Sequence, residues 1–402
     1  MKKEKTPNIR FKKFEHNWFK DCLSKVSKSI EYGLNASAKD YDGIHKYLRI
    51  TDIDESSRLF LTDKLSSPDV NFTIEDFENY KLQKNDLLFA RTGASVGKTY
   101  LYRESDGEVY YAGFLIRARL RDSYDGNFIF QQTLTGKYKQ FIEITSQRSG
   151  QPGVNGKEYG EWNIGMTSYP EQTAIGSLFR TLDDLLASYQ GNLANYQSLK
   201  ATMLSKMFPK AGQTVPEIRL DGFEGGWEEK EFSKLVKRVT QSSDSNSLPK
   251  VEFEDIISGQ GQLNKDISNK FDNRKGIHFE PGYTLYGKLR PYLNNWLLPK
   301  FEGVALGDFW VFDPNGNDSN FIYYLVQSNR YQKVANDTSG TKMPRSDWKS
   351  VSSTIFAIPQ TVAEQQAIGL YFSNLDNLIN SHQEKISQLE TLKKKLLQDM
   401  FV

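Results

Sequence analysis

Cysteine is nearly absent. Cys22 is the only one in 402 residues, so no internal disulfide can form, and a reducing cytoplasm is the expected compartment. Histidine is almost as scarce: His16, His45, His278 and His382 are scattered and spell no zinc-ligand motif. No apolar run approaches the ~18 residues a membrane span needs. The N-terminus "MKKEKTPNIRFKKF" is basic but has no apolar core, which argues against a signal peptide. An excess of one charge is also missing. The chain has 52 Lys/Arg against 50 Asp/Glu, and residues 1–170 hold 26 against 23. Any nucleic-acid binding must therefore use local patches, or share charge with partner proteins.

Catalytic signatures are missing too. "TGASVGKT" (92–99) resembles a phosphate-binding P-loop, but only three residues separate Gly93 from Gly97, one too few for the backbone cradle. There is no G-x-S-x-G nucleophile elbow. "DPNG" (313–316) is not the N/D-P-P-Y/F motif of an amine methyltransferase. "EEK" (228–230) fits a nuclease E-x-K, but no Pro-Asp pair stands at a suitable distance before it. The expectation is a chain without a catalytic or metal centre.

What is present is a duplication. "EQTAIGSLFRTLDDLL" begins at Glu171 and "EQQAIGLYFSNLDNLI" at Glu364. At an offset of 193, residues 171–208 align with 364–401 without a gap, and 16 of the 38 positions are identical. Apolar residues recur every three or four positions with no proline within the stripe. That predicts two helices with one apolar stripe each, roughly 55 Å long at 1.5 Å per residue. A stripe of that length must be buried. The two helices are expected to pair as a coiled coil, with Leu182, Leu185, Leu193 and Leu199 facing Leu375, Leu378, Ile386 and Leu392. The bland alternative is that each helix packs only on its own domain.

A weaker repeat marks the domain starts. "PNIRFKKFEHNWFKDCLSK" (7–25) aligns with "PEIRLDGFEGGWEEKEFSK" (216–234). The breaker-rich "PKAGQTVPE" (209–217) reads as the link between two units. Between the repeats lie short β-rich runs such as "DLLFARTG" and "GVALGDFWVFDP". The fold class expected is α+β: two mainly β domains and two long antiparallel helices, related by a pseudo-two-fold duplication. The expected divisions are 1–170, a helix over 171–208, a linker and second domain over 209–360, and a helix over 361–402.

Glycine-flanked basic loops are the candidate binding residues. "FARTGASVGK" supplies Arg91, Thr92, Ser95 and Lys98, and "SQRSGQPGVNGKEYGEW" supplies Arg148, Gln151 and Asn155. The second unit offers Lys288, Arg290 and Tyr292 in "YGKLRPYL", and Thr341, Lys342 and Arg345 in "TSGTKMPRSDW". Arg91 and Arg290 lie in corresponding loop regions. Arg and Lys suit guanine edges or phosphates, Gln and Asn suit adenine, and glycine allows close backbone approach. Singly, each loop fits an ordinary surface turn. As parallel pairs on two duplicated bodies they point to DNA.

These motifs, with "SGQPG", "SGTKMPR" and "IPQTVAEQQAIGLYFSNLDNLI", make the chain resemble the specificity subunit of type I restriction–modification systems. The resemblance covers essentially the whole chain. One departure is the shortened "TSYPEQ" (167–172) before the first helix, where the second has "IPQTVAEQ". The resemblance implies two target recognition domains, each reading half of a bipartite DNA sequence, and an antiparallel helical spacer. It implies no chemistry in this chain and no cofactor bound by it. Two methyltransferase subunits would use S-adenosylmethionine, and translocase–endonuclease subunits would use ATP and Mg. The competing readings are a non-catalytic coiled-coil adaptor and a free-standing nuclease.

Overall fold

The structure is a computed structural model that describes residues 6–148, 150–268, 270, 272–337 and 343–401. They form two compact units, Met1–Gly191 with Glu384–Val402, and Asn192–Gln383. Two 38-residue helices, Tyr169–Lys206 and Val362–Asp399, are divided between them. Each unit thus contains half of each helix, where the sequence order suggests globular parts followed by helices. No helix among the described residues is long and apolar enough to cross a membrane.

Each unit is built around a four-stranded antiparallel sheet. In the first unit the strand order is Ser27–Tyr32, Leu115–Leu120, Asp86–Ala90, Thr99–Leu101. In the second it is Lys237–Val239, Phe309–Asp313, Thr284–Gly287, Trp296–Leu297. A second strand set includes one parallel pair per unit, Lys46–Leu48 beside Val109–Tyr111 and Lys250–Val251 beside Gly303–Ala305. A two-stranded sheet closes each body, Phe19–Cys22 on Asn163–Met166 and Glu228–Glu231 on Ile355–Ile358.

The repeated letters E-Q-x-A-I-G open the helices, and four of them have visible work. Glu171 is fully buried and takes a bidentate pair from Arg10, Nε at 2.6 Å and Nη2 at 2.7 Å, with the Trp18 indole donating at 3.4 Å. Glu364 takes the same from Arg219 at 2.7 and 2.8 Å and from Trp227 at 3.1 Å. This is why the domain starts repeat P-x-I-R and a later Trp: those residues clasp the head of the helix. Gln172 and Gln365 accept the backbone N–H of Asp125 and Asp318 at 3.1 and 2.9 Å. Asp125 and Asp318 in turn cap short helices, each accepting a backbone N–H at 2.9 Å. Gly176 and Gly369 pass close to those caps; a Cβ would lie 2.2 and 2.7 Å from their carboxylate oxygens. Ile175 and Ile368 are buried in the cores.

The helices run antiparallel within each unit. In the first unit Lys393 pairs with Asp183 at 2.6 Å; in the second Lys200 pairs with Asp376 at 2.7 Å. Both the lysines and the aspartates are related by the repeat offset of 193. Ile175, Phe179 and Leu182 join the core of the first unit together with Met400 and Phe401. Ile368, Phe372 and Leu375 join that of the second with Met207 and Phe208. So the stripe does both jobs, packing on its own body and on the other helix.

The expected seam needs correction. Leu182 and Leu375 are buried, and Leu193 and Ile386 are half-buried. Leu185, Leu199, Leu378 and Leu392 are 40%, 36%, 42% and 44% exposed. The buried stripe instead steps through Ile175, Phe179, Leu182 and Leu186, and Ile368, Phe372, Leu375 and Ile379. Leu185 and Leu378 sit about 100° around the helix from Leu186 and Ile379, off the buried stripe.

Glu171→Gln keeps the shape of the clasp but leaves the Arg10 charge without its partner. We expect the first unit to lose roughly 3 kcal/mol, read by urea denaturation. Burial alone would raise the Glu171 carboxyl, but hydrogen bonds from Arg10 and Thr167 hold it below the usual range. Its contribution is thus complete above the unfolded carboxylate pKa and is lost as pH falls through the lowered folded value. The difference between wild type and Glu171→Gln should shrink in acid. A constant difference from neutral to strongly acid pH contradicts the charge-based account.

Candidate nucleic-acid interface

The buried strand Asp86–Ala90 delivers Arg91 to the surface. The Arg91 N–H donates to the Phe114 carbonyl at 3.1 Å, and the Arg91 carbonyl accepts from Val154 at 2.9 Å. Thr92 bridges to Gly153, and the Gly93 N–H donates to the Pro152 carbonyl at 3.0 Å. In the second unit the strand Thr284–Gly287 delivers Lys288. The Lys288 N–H donates to Asp308 at 2.9 Å and its carbonyl accepts from Ser346 at 2.9 Å. Leu289 bridges to Arg345, and the Arg290 N–H donates to Pro344 at 2.7 Å. The two loop pairs are the same backbone arrangement built twice.

The two loops correspond, but Arg91 and Arg290 do not occupy the same register in them. Arg91 corresponds to Lys288, two residues before Arg290. Arg290 corresponds to Gly93, and both have positive φ, +48° and +77°. Glycine takes that conformation freely; arginine takes it against steric cost, so its surroundings must fix it. Phe114 corresponds to Asp308.

The candidate side chains divide by what holds them. The Arg91 guanidinium lies over the Tyr32 ring at 5.0 Å and donates to the Gly113 carbonyl at 3.4 Å. Thr92 and Ser95 are half-buried in the turn, and Gln151 is exposed with its amide against Gly93. Lys98 points inward, pairing with Glu55 at 2.7 Å and donating to the Ile53 carbonyl at 3.2 Å. That hydrogen bond holds the Glu55 carboxyl below its usual range. Arg148 pairs with Glu158 and donates to two carbonyls of its own turn, at 3.0 and 2.9 Å. Lys98 and Arg148 are thus spoken for within the fold. Asn155 is the N-cap of Gly156–Gly160 and accepts the Glu158 N–H at 3.0 Å, a structural job the sequence reading did not give it. Asp347 caps Trp348–Ser353 in the same place.

In the second unit Lys288 and Arg345 converge on Asp308, at 3.7 and 3.0 Å. Arg290 and Tyr292 are exposed, and the Arg290 guanidinium has no hydrogen bond or ion pair among the described residues. Thr341 and Lys342 lie outside the described residues. Sequence reasoning missed Phe114 and Asp308. The signal was the glycine that precedes each, Gly113 in "YYAGFLI" and Gly307 in "VALGDFW".

The P-loop-like segment is not built as one. A strand, Thr99–Leu101, follows it instead of a helix, so no helix N-terminus faces a phosphate from there. The segment lines a cleft of roughly 530 Å³. Of its cations, Arg58, Arg103 and Lys393, like Lys98, are paired with acids, the first three at 3.3, 3.1 and 2.6 Å. His278, Glu280 and Glu302 gather at the edge of the second unit, a cluster the scattered histidines did not announce. His278 Nε2 lies 2.8 Å from Glu302, a hydrogen bond on the surface that accounts for their approach.

The comparisons with known proteins fit this geometry. A family model described as the type I restriction modification DNA specificity domain matches residues 248–391. The chain is similar to type I specificity subunits in sequence and in fold. The type I restriction enzyme MjaVIII specificity subunit of Methanocaldococcus jannaschii is 19% identical over 384 residues, covering 89% of this chain and 85% of that one. The crystal structure of the type I restriction–modification S subunit from M. genitalium shares the fold end to end, with a TM-score of 0.66 over 99% of both chains at 15% identity. The matched segment spans the loop pair around Lys288 and Arg345 and continues into the C-terminal helix.

Asn155→Ala and Asp347→Ala remove helix caps. Each is expected to cost about 1 kcal/mol of stability, measured as a shift in the denaturation midpoint. No shift for either returns Asn155 to the set of candidate base readers.

Proposed function

We propose that each unit reads one half of a bipartite DNA sequence, that the two helices set the spacing between the halves, and that the chain docks two methyltransferase subunits while doing no chemistry itself. Translocase–endonuclease subunits complete the assembly. S-adenosylmethionine, ATP and Mg are used by those partners. The observation that carries the reading is the loop pair: one backbone scaffold, present in both units, with different side chains on it. A scaffold repeated with altered chemistry is what two readers of different half-sites need. The modest net charge fits shared phosphate neutralisation in a complex.

The exposed leucines support the docking role. Leu185 and Leu392 belong to the first unit, Leu199 and Leu378 to the second. The register that sets Asp183 against Lys393 and Lys200 against Asp376 puts the two leucines of each unit at nearly the same level. Each unit then offers an apolar pair to a partner, and two such pairs suit two copies of one subunit.

The decisive experiment reconstitutes the chain with methyltransferase subunits and maps methylation across a library of DNA sites. Replacing residues 1–170 by the matching domain of a relative should change one half-site and leave the other. A change in both halves, or in neither, overturns the two-reader proposal.

Leu185→Asp and Leu378→Asp place a carboxylate on exposed positions. Folding should survive, with little change in the denaturation midpoint. Co-purification with methyltransferase subunits should fall at least tenfold, because a charge would be desolvated at the interface. Unaltered assembly removes these leucines from the docking surface.

A further inference from the structure

Resting on the proposed reading of DNA by the first unit, we propose that Phe114 is a specificity-determining residue that recognises a thymine through its 5-methyl group. Phe114 is 64% exposed, and it belongs to none of the core clusters among the described residues. Its backbone is fixed. The Phe114 carbonyl accepts the Arg91 N–H at 3.1 Å, and the neighbouring Gly113 N–H donates to Leu34 at 2.8 Å. A rigid turn therefore presents an uncovered ring at the lip of the loop pair. Arg91 adjoins it through that backbone bond: its guanidinium lies over Tyr32, itself 45% exposed, and two residues further along the loop Gln151 rests on Gly93.

The second unit shows that the fold does not need the ring. Asp308 occupies the corresponding place with the same backbone bond, and its carboxylate is taken up by Arg345 and Lys288. Single exposed apolar side chains are common and need no explanation by themselves. Here the position decides: the turn is the one that anchors the first reading residue of the loop. A phenyl ring offers no hydrogen bond. In the major groove the one base-edge feature it can select is the thymine methyl, while Arg91 beside it and Gln151 on the neighbouring loop supply polar readout.

The test uses the reconstituted methyltransferase complex and duplexes in which each thymine of the first half-site is replaced in turn by deoxyuridine. One replacement should weaken wild-type binding about tenfold. Phe114→Ala should bind the thymine duplex about tenfold less well and become insensitive to that same replacement, with the second half-site unaffected. Circular dichroism should be unchanged, since the ring supports no core. Phe114→Ala that senses every replacement as wild type does overturns the proposal. So does an equal loss on all sequences, which would mark a wedge between base steps, or a first half-site without thymine. A wild-type complex with no half-site selectivity instead sinks the underlying reading.

Discussion

The structure depends on a buried carboxylate at the head of each long helix. Glu171 and Glu364 sit where the helix dipole favours negative charge, and each is held from two sides by an arginine fork and an indole. Burying an ion is expensive unless it is fully paired, and here the pairing is bidentate. The partners, Arg10 and Trp18 or Arg219 and Trp227, come from the start of the same body. One interaction therefore fixes where the chain enters the domain and where it leaves. The body between is closed like a bag at its neck, and what emerges from the neck is the helix.

From there the duplication becomes reciprocal. Asp183 meets Lys393 and Asp376 meets Lys200; each helix supplies an acid near its start and a base near its end. A single sequence unit with one acid and one base thus suffices to make an antiparallel pair with itself. The duplicated segment needs no separate complementary partner, since the antiparallel arrangement makes it its own. Function uses the same economy: each unit brings a strand end, a proline-bearing loop and a capped short helix into one lip.

Much of the fold was legible in the sequence because the repeat is long and the helical period clear. The two helices, the β-rich bodies and the family resemblance all rested on local pattern. What was not legible depended on three-dimensional placement. Four leucines, Leu185, Leu199, Leu378 and Leu392, satisfy an apolar spacing but fall off the buried stripe, since periodicity alone does not say which edge of a broad stripe faces the core. Lys98 and Arg148 are basic and loop-borne, yet Glu55 and Glu158 engage them. Asn155 looks like an adenine reader and is a helix cap. Arg91 and Arg290 look equivalent by residue type, but the backbone bonds pair Arg91 with Lys288. Residue type suggests chemistry, and neighbours distant in sequence decide whether that chemistry is available.

The loop pair is tied together by main-chain bonds: Val154 to Arg91 and Gly93 to Pro152 in one unit, Ser346 to Lys288 and Arg290 to Pro344 in the other. Such bonds are indifferent to side-chain identity. Substitutions at the lip can then accumulate in evolution with little toll on the scaffold, as Gly93 against Arg290 and Phe114 against Asp308 already illustrate. Under the proposed reading, the chain could in this way be retargeted one half at a time, while the frame that presents its choices stays constant.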